Sequence, residues 1–375
     1  MPWKAVSLMS LRKEFVSMFE SGAINFSDLC RRFSISRKTG YKWIHRYQSE
    51  GEAGLTDRSR RPHRIIRRVD PVIEKQVVSI RKTRRWGARK IQRRLQNLAV
   101  DAVPACSTIT AILHRHGLIS SEVPAGRQDW QRFEHPAPNS LWQMDFKAPV
   151  HTLDGVGHPL TVLDDHSRFN LCLYALPDQG GNGVKHRLTQ TFIQYGLPNA
   201  MVMDNGSPWG FSTEHPYTAL SVWLIRLDIR VIHSRAYHPQ TLGKDERFHR
   251  SLDYELLSRW QWRDLQHLQQ SMHQWRDQYN LERPHDALDL EVPVSRYQPS
   301  TRRLPDKLPP IEYPSATHVR KVQDGGFVHF KGRVFRISRA FHGYPVGLIP
   351  TKTDGVFHLM FCNHKVTTID LKSNP

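Results

Sequence analysis

Between Leu141 and Glu246 the hydrophobic pattern changes period in a fixed order, and that order describes a layered α/β domain. Leu141–Pro149 reads as a first strand and bears Asp145. Pro159–Asp165 is a second strand, ending in His166-Ser167-Arg168, and Phe169–Leu176 a third. Val184–Tyr195 has the pattern of an amphipathic helix, and Ala200–Met203 is a short buried strand that stops at Asp204-Asn205-Gly206. Ile229–Ile232 is a fifth strand. Beyond His238-Pro239-Gln240 and Gly243, a polar periodic run opens a helix near Lys244 that carries Glu246. Three strands in meander, then helix, strand, helix, strand and helix, thus carry three carboxylates far apart in sequence: Asp145, Asp204 and Glu246. Three carboxylates gathered on one scaffold are what a pair of hard divalent cations requires.

The surroundings of this acidic set are basic. The 375 residues carry a formal net charge of +19, too much chain for one ordinary core. Residues 1–135 hold 27 Lys and Arg against 12 Asp and Glu, whereas the remainder holds 27 against 23. An excess so concentrated points to a polyanion, bound by neutralising phosphates and releasing their counterions. Residues 7–48 read as three helices, with Leu8, Leu11, Phe15 and Phe19 on one face of the first and Ser27-Asp28 opening the second. Ser36 is an N-cap for the third, a basic helix in which Trp43, Ile44 and Tyr47 pack inward. This is a helix-turn-helix signature, with Arg37, Lys38, Thr39 and Lys42 toward the major groove or the phosphates. Residues 57–70 form an extended basic arm containing Arg58, Arg60, Arg61 and Arg64, suited to a minor groove or to a solvated linker. A second unit follows, built from a helix over Pro71–Lys82, a basic helix with Lys90, Arg93 and Arg94, and a helix capped by Ser107 that presents Thr108.

Cys30, Cys106, Cys172 and Cys362 are scattered among apolar neighbours and form no CxxC pair, which predicts free thiols in a reducing compartment. No run is apolar enough to span a bilayer, and the first residues lack a signal-peptide core, so a cytoplasmic, nucleoid-associated protein is expected. Trp260, Trp262, Leu265, Leu268, Met272, Trp275 and Tyr279 mark packing helices after the core, and residues 299–314 are proline-rich. From His318 onward five short strands, with hairpin signals at Lys331-Gly332 and Asp354-Gly355, predict a small all-β barrel.

WQMDF, VLDDHSR, DNG and YHPQTLGKDERFHR resemble the integrase core of DDE transposases and retroviral integrases, most nearly the insertion-sequence transposases of bacteria. The resemblance covers roughly residues 136–295, including the tail YNLERPHDALDLEVPVSRY. It departs from the family in the 41 residues that separate Asp204 from Glu246, a longer gap than the familiar one, with the excess assigned to the loop Trp209–Tyr217. It departs again in having helix-turn-helix units where retroviral integrases carry a His/Cys zinc module.

The implied fold is multidomain. Helix-turn-helix units at 1–56 and 71–120 are joined by a basic linker at 57–70, and a linker at 121–135 leads to an RNase H-like α/β core at 136–298. A linker at 299–317 then precedes an SH3-like barrel at 318–375. The implied activity is DNA strand cleavage and strand transfer at the ends of a mobile element, with two Mg²⁺ ions, replaceable by Mn²⁺, held by Asp145, Asp204 and Glu246 as catalytic and metal-binding residues. Asp145 would bridge both ions. His238, Lys244, Arg247 and Arg250 are the expected DNA contacts near the catalytic helix, Asp164 and Asp165 the anchors of a turn, and Asp245 a solvated charge. The implied partners are double-stranded DNA, both element ends and target, and further copies of the chain in a dimer or larger assembly. A catalytically idle DNA-binding repressor and a structure-selective RNase H-like nuclease are the alternatives.

Overall fold

On the first core strand, β1 (Trp142–Phe146), Trp142 and Met144 are fully covered by one layer of helices, which leaves Gln143 and Asp145 for the opposite face. The computed structural model describes residues 7–59, 69–119, 134–210, 217–233 and 243–372. Around β1 lie β2 (Val150–His151), β3 (Val156–Asp164), β4 (Asn170–Leu176), β5 (Ala200–Met203) and β6 (Arg230–His233). β3 lies antiparallel between β1 and β4, with Asp145 opposite Thr161, and the two-residue β2 pairs with the start of β3. β5 and β6 add in parallel on the other side of β1.

Both faces of this sheet are buried, which is why its strands read as nearly continuous apolar runs. Helices α7 (Gly181–Tyr195) and α8 (Ala219–Arg226) cover the Trp142 face through Val184, Leu188, Phe192 and Leu224. Helices α9 (Gly243–Glu255) and α10 (Leu265–Leu281) cover the Gln143 face, where Phe248, Leu252, Leu268, Met272, Trp275 and Tyr279 pack on Leu163 and Leu173. The predicted aromatic stripe is therefore core packing, except that Trp260 is 60% exposed. This is the RNase H-like layering expected of the sequence, with helix α7 beginning three residues earlier than its apolar pattern and β1 ending three residues before Pro149.

The chain divides into two compact units, residues 1–68 and 69–375. In the first, α1 (Leu8–Glu20), α2 (Phe26–Arg32) and α3 (Arg37–Glu50) enclose Phe15, Val16, Leu29, Cys30, Trp43, Ile44 and Leu55. Ser36 caps α3 as predicted, accepting from the Thr39 amide at 3.2 Å. Two expectations need correction. Leu8, on the same face as Phe15 but at the very first residue of α1, is 67% exposed, and α2 opens one residue before Ser27, at Phe26, with Asn25 as its cap. At Gly40 a Cβ would stand 2.9 Å from both Cys30 Sγ and a Phe26 ring carbon, so α3 rests on α2 only because this position has no side chain.

The second unit opens with α4 (Pro71–Arg84), α5 (Ala88–Asn97) and α6 (Cys106–Arg115) around Val77, Trp86, Ile91, Leu95, Ile109, Ile112 and Leu113. Ala105, with no side-chain cap, precedes α6, so the predicted cap Ser107 lies inside the helix. The proline-rich stretch is laid on the core, Ser300 and Leu197 bonding across to Tyr195 and Arg302. The C-terminal region is all β. Strands β7 (His318–Lys321), β10 (Pro345–Pro350), β11 (Val356–Phe361) and β12 (His364–Asp370) make one antiparallel sheet, and β8 (Phe327–Phe330) and β9 (Arg333–Arg336) a separate hairpin turned at Lys331-Gly332. Among the described residues no pairing joins these strands into a closed ring. The unexpected strand β7 is exposed along its length and so lacks the alternation that marks the others.

Candidate active site

Asp145 sits half-buried on β1, on the face covered by α9, and its Oδ1 accepts from the Phe146 amide at 2.8 Å. Burial, joined by the negative charges of Asp204 and Glu246, raises its carboxyl to about 6 against that hydrogen bond. Asp204 follows β5, where its Oδ1 takes the Gly206 amide at 3.0 Å, and Glu246 is exposed on the first turn of α9. β1 and β5 are parallel neighbours, so the ends of both strands deliver their aspartates to one edge of the sheet.

The turn after β3 behaves as expected. Asp164 Oδ2 accepts from Ser167 Oγ at 2.6 Å and the Ser167 amide at 2.8 Å, and its Oδ1 from the Asn139 amide at 2.7 Å. Asp165, however, reaches further. Its Oδ1 accepts from Gln143 Nε2 at 2.8 Å and its Oδ2 lies 2.5 Å from the Lys244 ammonium. Burial alone would raise Asp165, but Lys244 and the His135 amide hold it below the usual range. Lys244, expected on DNA, is thus committed to Asp165, while Arg247 and Arg250 are exposed on α9.

Asp245 overturns its expectation most clearly. It is fully buried, with its carboxylate oxygens 3.1 and 3.2 Å from Thr161 Oγ1 and its amide donating to Gln143 Oε1 at 3.2 Å. Burial first, then the Asp145 charge, raises its carboxyl well above the ordinary value. The signal was present: Asp245 falls on the α9 stripe of Phe248, Leu252 and Glu255, so the helix turns it inward while Glu246, one residue on, turns out. His249 completes the group, with Nε2 at 2.9 Å from Thr161 Oγ1 and its own value lowered to about 4 by burial.

Asp145, Asp245 and His249 can each offer a ligand atom within 4.8 Å of the others, a spacing that Asp145, Asp204 and Glu246 do not share as a set. The donor chemistry nevertheless fits hard divalent cations at the predicted triad. Asp145 and Asp204 at the ends of parallel neighbours, with Glu246 on the first turn of α9, are like charges whose repulsion adds to burial in raising Asp145, and a cation between them would relieve it.

The predicted DNA contacts divide sharply. Arg37, Lys38 and Lys42 are exposed on α3, with the Lys42 ammonium 4.2 Å from the Trp43 ring centre, and Thr39 is half-buried beside Ser36, their hydroxyls 2.9 Å apart. Arg58 pairs with Glu50. Arg60, Arg61, Arg64 and His238 lie outside the described residues. In the second unit Arg93 pairs with Glu291 and Arg94 with Glu282 at 3.1 Å, and Lys90 is half-buried beside Arg283, Glu255 and Asp286. These three side chains face the tail of the core rather than solvent, a correction that sequence periodicity could not supply, because their partners lie about 200 residues away. Thr108 is half-buried on α6.

Family comparisons cover most of the chain. A helix-turn-helix domain matches residues 11–63 and a homeodomain-like domain residues 39–113. Integrase core domains match 135–239 and 227–293, and the C-terminal domain of IS481 family transposases matches 317–375. Helix-turn-helix, integrase core and IS481 transposase C-terminal domains thus follow one another along the chain, an order consistent with an insertion-sequence transposase of the DDE type. Its integrase core domains mark the protein as a polynucleotidyl transferase. Among solved structures, the simian T-cell lymphotropic virus intasome in complex with PP2A regulatory subunit B56 gamma is similar over 79% of this chain and 96% of its own, at 15% identity and a TM-score of 0.37. The HTLV-2 integrase catalytic core with magnesium, in its trimeric form, matches over 44% and 99% at 13% identity and 0.33. The BIV integrase catalytic core matches over 42% and 92% at 20% identity and 0.32.

Proposed function

We propose that the protein is a DDE transposase that binds the ends of its element through its helix-turn-helix units and cuts and joins DNA strands at Asp145, Asp204 and Glu246. The observation that supports this reading is positional: Asp145 on β1 and Asp204 after its parallel neighbour β5 stand at the same end of the sheet, with Glu246 on the first turn of α9, which packs on β1. A concentrated acidic site in a chain of net charge +19 suits a reaction at a phosphodiester. When bound, two Mg²⁺ ions, or Mn²⁺ in their place, would supply a lowered pKa for the attacking water or 3′-hydroxyl and neutralisation of the leaving oxygen. Asp145, Asp204 and Glu246 would hold the ions, while Arg247 and Arg250, exposed on α9, would hold the phosphates alongside. No covalent protein–DNA intermediate is needed, so no serine or tyrosine nucleophile enters the scheme. Pairing two DNA ends calls for a dimer or larger assembly of the chain.

Purified protein, Mg²⁺ and a labelled duplex carrying the element end test this directly. Asp145→Ala, Asp204→Ala and Glu246→Ala are each expected to lower end cleavage by roughly 10³-fold or more, while end binding by anisotropy stays within a fewfold. Cleavage that survives these changes sinks the proposed site. End binding with no cleavage in any divalent metal marks a repressor instead, and cleavage indifferent to end sequence marks a structure-selective nuclease.

A further inference from the structure

Catalytic-site geometry on α9 depends on how that helix is rotated about its axis. Successive residues on a helix are separated by about 100°, so fixing one side chain of the first turn fixes the direction of the next. Two neighbours of Glu246 are pinned to the sheet. Lys244 is held by Asp165, and Asp245 lies at the centre of a closed polar cluster whose other members come from β1, β3 and the next turn of α9. Thr161, directly opposite Asp145 in register, is the hub. Its Oγ1 lies 3.0 Å from the main-chain oxygen of Asp145, 3.1 and 3.2 Å from the Asp245 oxygens, and 2.9 Å from His249 Nε2.

A threonine hydroxyl has a single proton to give. The acceptors around it outnumber that proton, and an Nε2-protonated His249 would complete the set by donating to Thr161, leaving the threonine proton for Asp245. Gln143 closes the second path: it accepts from the Asp245 amide and donates to Asp165, the partner of Lys244. Both paths lead back to β1 within two residues of Asp145.

We propose that Asp245, seated on Thr161, is a positioning residue of the transposase: it sets the rotation of α9 and hence where Glu246 stands relative to Asp145. An apolar residue would satisfy burial at this place, and a carboxylate buried beside Asp145 is costly unless it is hydrogen-bonded. Its cost is offset by a fixed geometry at the neighbouring Glu246. The inference rests on the proposed role of the triad, and its test separates the two.

Asp245→Val and Thr161→Val remove the seat from either side, and Asp245→Asn keeps an oxygen for Thr161. Cleavage of the end duplex is measured across Mg²⁺ concentrations, together with end affinity, thermal midpoint and Mn²⁺ binding by calorimetry. Each valine variant is expected to lose roughly 10²-fold in kcat, as an ångström-scale misplacement does, with KM for the duplex and the thermal midpoint little changed and Mn²⁺ binding weakened. Asp245→Asn should recover most of the lost rate. Wild-type rates in both valine variants overturn the positioning role, as does loss in Asp245→Asn equal to that of Asp145→Ala, which would make Asp245 a ligand. If one valine variant does not fold, the other decides. Cleavage retained in Asp145→Ala refutes the triad instead, whatever Asp245 does.

Discussion

Lys90 carries a charge into a place that also holds Arg283, and burial pulls its ammonium down to about 8, with Arg283 adding to the effect and Glu255 and Asp286 opposing it. Arg283 is itself committed to Glu255, its Nη2 and Nε donating to one carboxylate oxygen at 2.7 and 2.9 Å, so little negative charge remains for Lys90. The folded-state value lies below the unfolded one of 10.5. Between about pH 8 and that value the unfolded chain still holds a proton that the folded chain has released, so this residue's contribution makes stability rise with pH across the window. Below it the folded chain bears the cost of a buried ammonium. Comparing urea midpoints of the wild type with Lys90→Met from pH 7 to 10.5 checks this. The variant should be the more stable near pH 7, and the difference should shrink as pH rises. A difference that does not change with pH contradicts the assignment.

The two basic helices α3 and α5 look alike in sequence and do different things. α3 presents Arg37 and Lys38 to solvent, whereas α5 spends its arginines on the core tail: Arg94 shares Glu282 with Arg84, Arg89 meets Asp286 at 3.1 Å, and Arg93 meets Glu291. Arg259 donates to the Lys82 and Thr83 carbonyls at the end of α4, and Arg85 to the Tyr254 carbonyl, so the second helical unit is fastened to the core at several points. The consequence can be read in the salt dependence of end binding. Replacing Arg37 or Lys38 by Ala should reduce the slope of log affinity against log salt by about one for each phosphate that is no longer neutralised. Arg93→Ala should leave that slope in place and lower stability instead. Equal slope changes for Lys38→Ala and Arg93→Ala would show that α5 also lies on DNA.

At the scale of the molecule, the first unit has a hydrophobic core of its own, while the second merges its sheet, α8 and the C-terminal strands into one continuous cluster. Leu29, fully buried in the first unit, should cost about 2–5 kcal/mol of that unit's stability when cut to Ala. Calorimetry is then expected to show one transition moved down and the other unmoved. A single transition that shifts as a whole would mean that the two units unfold together. The succession of strands and helices along the core, the carboxylates at strand ends and the Ser36 cap were legible in the sequence because each is set by residues within a turn or a strand of one another. Asp145 and Asp204 could be picked out for the same reason, since a short apolar run that stops at an aspartate places it at a strand end. What the sequence left open was pairing at long range. The burial of Asp245 needed Thr161 and Gln143 beneath it, and the engagement of Lys90, Arg93 and Arg94 needed the acidic tail about 200 residues away. Local periodicity tells which face a side chain is on; only the tertiary structure decides what meets that face, because the neutralising partner of a charge need not be near it in the chain.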